Sequence, residues 1–299
     1  MPQCIRRFLS IFLLLSAFFA MGSSVSAAAL PPEPKLISGA QIYSRSDNEF
    51  ASAVIFDAAS GKRLYAYKPD LPWSAASLTK LMTALVAADY LKNPQKVVAL
   101  SIKDEVGGGR LRVKSGARLS INDLFYSAIV ASANNAAMAL ARLTGTGMPA
   151  FVKQMNQRAK TLGLAHTSFV EPSGMDPKNM TTATDIVTLA RASFSNPKIR
   201  SAATTASYRF TIRNTGEVKT ITNTNALLTH DPDIWVLGGK TGFLYESLHN
   251  LVVKVTTGPE KPGKPPLYVV VFGAADKPAM FASAKGLANW AWNAYDWSP

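Results

Sequence analysis

The sequence predicts an α/β (α+β) fold in which an antiparallel sheet flanked by helices packs against a separate helical lobe. Three observations carry this. Strand patterns occupy both ends of the chain's folded part, helical periodicity fills its middle, and three short polar motifs fall in different segments. A sheet whose first strands rejoin its last ones, with the central helices as a second lobe, brings such motifs to one cleft.

Taken in order, Ser52-Ala-Val-Ile-Phe56 and Arg63-Leu-Tyr-Ala-Tyr67 flank the turn signal Asp57-Ala-Ala-Ser-Gly61 and predict an antiparallel hairpin. Ser77 to about Leu91 predicts a helix, and Val113 to Ala183 reads as mainly helical with Gly-bearing loops. Strand patterns return at Tyr208–Arg213, Val218–Thr222, Trp235–Gly239, Asn250–Thr256 and Leu267–Gly273. Between the last two, Pro259-Glu-Lys-Pro-Gly-Lys-Pro-Pro266 has a linker's composition but is flanked closely by strands, so it is expected to be a hairpin loop. Phe281–Tyr295 closes the chain as a helix. Its Trp290 and Trp292, with Trp297 beyond, are expected to pack on the sheet, because the segment has only Lys285 as a base and little polar face for a membrane.

The N-terminus reads as a targeting segment. Arg6 and Arg7 precede the apolar run Phe8-Leu-Ser-Ile-Phe-Leu-Leu-Leu15, and Val25-Ser-Ala27 is a small-x-small cleavage site, so residues 1–27 are expected to be a cleaved signal peptide. The apolar core is shorter than the roughly 20 residues that span a bilayer, which argues against a stable membrane anchor. Residues 28–35 form a Pro-bearing lead-in, and 36–299 make one domain of two lobes. Export to the periplasm follows as the expected location.

Composition excludes several chemistries. Cys4, the sole cysteine, leaves with the signal peptide, removing disulfides, thiol nucleophiles and thiolate metal sites. His166, His230 and His249 have no metal-ligand spacing, so neither a metal nor another cofactor is expected. The mature chain keeps 30 Lys+Arg against 19 Asp+Glu, a net of +11, which suits an anionic surrounding such as cell wall or headgroups. Nucleic acid is the weaker partner reading, since the bases are scattered and no binding motif is present.

The three motifs are Ser77-Leu-Thr-Lys80, Ser132-Ala-Asn134 and Lys240-Thr241-Gly242. Together they supply a nucleophilic hydroxyl, an amine to act as base, a hydroxyl and amide to relay a proton and position substrate, and a cation for a carboxylate. That set reads as serine acyl transfer. Decoys fail on physical grounds. Ser195-Asn-Pro-Lys198 contains Pro197, which interrupts the helix that would put Ser and Lys on one face. Ser46-Asp-Asn48 precedes the nucleophile, and Ser120-Ile-Asn122 adjoins a helix start. A phosphate-loop reading of Gly239-Lys-Thr241 fails because Ile234 stands where Gly is required. A helix beginning at Ser77 would aim its positive end at a developing oxyanion, and the spacing sets Lys80 beside the hydroxyl. To serve as base at neutral pH, Lys80 must lose about 3 units from an ordinary 10.4, or roughly 4 kcal/mol. Burial in the cleft and repulsion from Lys240 are expected to provide it.

With its flanking text, the chain resembles peptidase S11, the D-alanyl-D-alanine carboxypeptidases among low-molecular-mass penicillin-binding proteins. The resemblance rests on Phe56-Asp-Ala-Ala-Ser-Gly61, Ala76-Ser-Leu-Thr-Lys-Leu-Met-Thr-Ala84, Leu119-Ser-Ile-Asn-Asp-Leu124, Ser132-Ala-Asn-Asn-Ala-Ala137 and Asn223-Thr-Asn-Ala-Leu-Leu228. It implies a β-lactamase/transpeptidase-like fold and action on peptidoglycan stem peptides, with β-lactams as inhibitors. It also implies roles: Ser77 as nucleophile, Lys80 as proton acceptor, Ser132 and Asn134 as relay and positioning pair, Lys240 as carboxylate contact with Thr241 and Gly242, and backbone N–H groups of Ser77 and Phe243 as the oxyanion hole. Ala75-Ala76 replaces the family's usual Pro-Ala, Ser-Ala-Asn its Ser-Gly-Asn, and Glu171-Pro-Ser-Gly174 an Asn-Pro-His-Gly stretch. The sequence stops at Pro299 with no second β domain or amphipathic anchor, which strengthens a D,D-endopeptidase alternative. A serine β-lactamase using Glu171, and a non-catalytic wall-binding protein, are the remaining alternatives.

Overall fold

A computed structural model describes residues 32–298, apart from 48 and 259–262; the expected signal peptide lies outside the described residues. The chain begins with strands β1 (Lys35–Leu36), β2 (Ser52–Asp57), β3 (Arg63–Tyr67) and β4 (Trp73–Ser74), then helix α1 (Thr79–Tyr90). The helical part adds β5 (Val97–Ala99), β6 (Arg118–Ser120), α2 (Ile121–Ile129), α3 (Asn134–Leu143), α4 (Met148–Thr161), β7 (Met180–Thr181), α5 (Ala183–Ser195) and α6 (Pro197–Ala203). It closes with β8 (Ser207–Thr211), β9 (Val218–Thr222), α7 (Ala226–His230), β10 (Ile234–Leu244), β11 (Leu248–Thr257), β12 (Leu267–Ala274), α8 (Lys277–Ala294) and β13 (Tyr295–Asp296).

The main sheet is antiparallel with order β10-β11-β12-β2-β3, so the first hairpin rejoins the last strands as its sequence position predicted. β12 lies at the centre, and all eight of its residues are buried, so its run of Tyr, Val and Phe does not alternate. One face of the sheet, through Val54, Val252, Tyr268, Val270 and Phe272, packs on the helical lobe. The other, through Ile55, Val253, Val255, Val269 and Val271, packs on α8, where Trp292 is buried and Trp290 and Trp297 pack alongside.

Several elements have legible local causes. Ser120 caps α2 and Asp123 returns the bond, each backbone N–H satisfied by the other's side chain, which is why Ser120-Ile-Asn122 is a helix start and not a site. Asn196 ends α5 and caps α6, with Pro197 in its first turn, so Ser195 and Lys198 sit on different helices.

Four expectations need correction. Residues 113–120 and 162–182 are not helical; the second stretch is a loop held by its own side chains. β10 continues past Gly239 through Lys240 to Leu244, because the Ala76–Leu78 turn covers the motif and supplies the burial that its glycines lack. β8 and β9 form a separate hairpin outside the main sheet. Lys35, assigned to the lead-in, is in a strand that pairs with Asp296.

Candidate active site

The nucleophile motif begins in a tight turn. Ala76, at φ +46°, starts a 3₁₀ turn over Ala76–Leu78 that runs into α1 and places Ser77 at the helix's N-terminal end. Lys80, three residues on, lies beside it: Lys80 Nζ is 2.7 Å from Ser77 Oγ and donates to Ser173 O at 2.5 Å. Lys80 is fully buried, and burial lowers its ammonium to about 7, opposed by the Glu171 carboxylate.

The loop under this pair is built on Glu171. One carboxylate oxygen accepts from Ser173 N and Ser173 Oγ, both at 2.6 Å. The other accepts from Gly174 N and Met175 N and from Asn179 Nδ2 at 2.8 Å. Asn179 O takes the Ala75 N–H, and Pro172 O takes the Thr83 hydroxyl, so the loop grips both sides of the nucleophile turn. Gly174 has φ +83°, and a Cβ there would lie 2.0 Å from Ala76 O. Only glycine fits.

The second motif follows α2. Ser132 has φ +56°, a left-handed conformation that aims its hydroxyl away from the helix path. Asn134 donates from its amide to Gly107 O at 2.7 Å, and its backbone N–H to Gly109 O at 2.7 Å, which fixes the 107–109 segment as one rim of the cleft. Asn135 holds the next stretch through both polar ends, accepting from Leu111 N and donating to Glu105 and Leu111 O.

The third motif rides on β10, the edge of the sheet. Lys240 Nζ donates to Ser132 Oγ and to Thr241 O, each at 2.8 Å, and Thr241 Oγ1 is 2.6 Å from Thr224 Oγ1. A Cβ on Gly242 would stand 3.2 Å from Ser77 N, so the strand approaches the nucleophile turn backbone to backbone. Lys240 is buried and lowered well below its ordinary value, first by burial and then by Lys80. Burial is thus the largest cause lowering both amines, and the expected repulsion between them adds to it at Lys240.

Ser77, Ser132, Asn134, Thr241, Gly242 and Phe243 all line one cleft of about 580 Å³. At its mouth Phe243 stacks on His249 with centroids 4.5 Å apart, and Tyr245, 89% exposed, meets Phe243 edge-on. Sequence reasoning missed Ser173 O as a partner of Lys80, the Gly107–Gly109 rim and the Thr224–Thr241 contact. The Glu171-Pro-Ser-Gly174 departure marked that loop; nothing marked the other two. A hydroxyl in contact with a buried amine of low pKa, beside a second hydroxyl bonded to a second buried amine, is equipped for acyl transfer.

A model of the peptidase S11 family, D-alanyl-D-alanine carboxypeptidase, matches residues 40–276. The chain belongs to peptidase S11. As an S11 chain it is a serine-type peptidase, a hydrolase. It is similar to a D-alanyl-D-alanine endopeptidase of Pseudomonas aeruginosa, at 34% identity over 94% of this chain and 86% of the relative. It is also similar to the D-alanyl-D-alanine carboxypeptidase DacF of Bacillus subtilis, at 29% identity over 84% of this chain and 64% of that one. Among solved structures, a D-alanyl-D-alanine carboxypeptidase from Mycobacterium tuberculosis superposes with a TM-score of 0.73 at 26% identity, covering 83% of this chain and 92% of that one. The S11 fold is thus the penicillin-binding type the resemblance implied.

Proposed function

We propose that the protein is a serine D-Ala-D-Ala carboxypeptidase acting on peptidoglycan stem peptides, with Ser77 as the acylated residue. The observation that carries this reading is the contact of Ser77 Oγ with a fully buried Lys80 whose pKa is lowered to about 7. Lys80 Nζ takes the proton as Ser77 Oγ attacks the carbonyl carbon of the D-Ala–D-Ala bond. The backbone N–H groups of Ser77 and Phe243 hold the oxyanion. As the C–N bond breaks, Ser132 gives its proton to the leaving amine and takes in its place the proton held by Lys80, and D-Ala departs from an acyl ester on Ser77. Water then attacks that ester and releases the shortened peptide and the hydroxyl. Lys240, as an ammonium, holds the substrate's C-terminal carboxylate, with Thr241, Gly242 and Asn134 aligning its backbone.

A β-lactam mimics the acyl-D-Ala-D-Ala unit and should acylate Ser77. Both Glu171 oxygens are taken up by loop donors, which leaves none to activate a deacylating water and argues against a β-lactamase. Intact-mass analysis with benzylpenicillin should find one stable adduct mapping to Ser77 and none in Ser77→Ala; an adduct elsewhere would overturn the assignment.

The second reading is D,D-endopeptidase action, in which the leaving amine belongs to a second stem peptide. It is favoured by the fuller coverage of the endopeptidase relative than of the carboxypeptidase DacF. Incubation with monomeric and cross-linked muropeptides, followed by mass spectrometry, separates the two: loss of D-Ala from monomers marks the first, conversion of dimers to monomers the second. The expected signal segment and the wall substrate support a periplasmic location, and among the described residues no helix is long and apolar enough to cross a membrane.

A further inference from the structure

A second cavity, of about 1030 Å³, opens between the first half of β10 and the α5–α6 corner, away from all three motifs. Its lining includes Tyr268 of β12 and Lys254 of β11, with Arg200 of α6 on the wall and Trp235, 52% exposed, at the mouth. The Arg191 guanidinium lies 5.6 Å from the Tyr268 ring centre, and Lys254 Nζ 5.5 Å from the same centre. Two cations therefore flank one ring, and Arg200 adds a third to the cavity wall. Among the described residues none of them is ion-paired to a carboxylate. The lining's one acid, Asp231, is already bound to Lys285 at 2.9 Å. Unpaired cations gathered in a concave site recruit anions, and an indole at the mouth offers a flat apolar platform beside them.

We infer that this cavity is a second binding site for peptidoglycan, taking the carboxylates of a stem peptide on the strand whose neighbouring peptide occupies the catalytic cleft. The inference rests on the proposed wall substrate. Its occupant is set by continuity along one element. β10 is the edge strand of the sheet, its Ile234–Leu237 stretch walls this cavity, and Thr241–Phe243 wall the catalytic cleft. Six residues separate Trp235 from Thr241, which at strand rise is about 20 Å. A polymer with repeated carboxylates lying along that edge reaches both sites at once, and the two contacts reinforce each other.

The test is cosedimentation of the mature protein with purified sacculi after benzylpenicillin has blocked Ser77, so that binding through the cleft is removed. Acylated wild type should cosediment in a salt-sensitive manner. Arg200→Glu/Lys254→Glu should bind about five-fold or more weakly, with an unchanged benzylpenicillin acylation rate that also reports its folding. Arg200→Gln, a milder change on an exposed helix, should show part of the loss. Lys103→Glu/Lys160→Glu carries the same charge change on distant surface and should bind as wild type. Three results overturn the proposal: acylated wild type that no longer cosediments, a double variant that binds fully, or a distant control that loses as much. Binding of the acylated protein to phosphatidylglycerol vesicles but not to sacculi would also overturn it, in favour of a lipid headgroup. Absence of a Ser77 adduct on the same samples would instead mark failure of the active-site reading.

Discussion

Lys80 and Lys240 are two buried amines in one site with different hydrogen-bond partners, Ser77 and Ser173 for the first, Ser132 and Thr241 for the second. Their roles divide by which one keeps a proton. Since Lys80 acts as base only when neutral, and its pKa is about 7, acylation by benzylpenicillin should fall on the acidic side with a midpoint near 7. Lys240→Ala should slow acylation, by tenfold or more if one charge-assisted contact of about 1.5–3 kcal/mol is lost. It should leave that midpoint close to 7, because burial is the largest cause lowering Lys80. Rate constants against pH for both proteins check this, and a midpoint displaced well above 7 in Lys240→Ala would make repulsion from Lys240 the larger cause. The Ser–Lys pairing itself was legible in the sequence, as three-residue spacing on a helix fixes it. Burial as the source of the pKa shift was also expected from the site's place between the lobes, whereas Ser173 and the Glu171 loop that do the covering were not, because they reach the pair only through the fold.

At the scale of elements, the Glu171 loop is the part that spacing could not reveal. Its shape comes from a single carboxylate that gathers backbone N–H groups from Ser173 to Met175, a tertiary device without periodicity. That is why 162–182 read as a continuation of helix. β10 was cut short for a related reason: Gly238, Gly239 and Gly242 break the apolar pattern, yet each sits at a close approach, Gly238 to Phe194, Gly239 to Asn225 and Gly242 to the Ser77 turn. Two outcomes follow. Glu171→Gln removes the one charge that raises Lys80, so the acidic limb of acylation should move below 7, and the lifetime of the penicillin adduct should not lengthen greatly. A large lengthening would make Glu171 a deacylating base. Gly174→Ala, forced against Ala76 O from a left-handed backbone, should destabilise the fold by several kcal/mol and lose penicillin labelling, read by thermal melting and adduct formation.

At the scale of the whole molecule, strand order was legible because both ends of the chain carry strand patterns, and a sheet closes only by joining them. The lobes meet through polar ties that no pattern announces. Asn250 on β11 accepts from Trp73 Nε1 and Gly273 N and donates to Ser74 O, which locks the strand before the nucleophile onto the sheet. Closing the lobes over Lys80 costs stability, and the cost depends on pH. The folded state holds this amine at about 7, whereas the unfolded chain holds it near 10.4. Between those values the unfolded state binds more protons, so wild-type stability gains with rising pH from this group. Below 7 the full penalty applies, about 4 kcal/mol for a shift of some 3 units. Lys80→Met replaces the amine with an apolar chain of similar length and abolishes penicillin labelling. It should be more stable than wild type at pH 6, less the two hydrogen bonds lost to Ser77 and Ser173, at roughly 1 kcal/mol each. The difference should shrink as pH rises from 7 and vanish or reverse near 10. Urea midpoints of both proteins at pH 6, 8 and 10 measure it. A difference independent of pH would mean that Lys80 is not held neutral by the fold, and its assignment as base would fail with it.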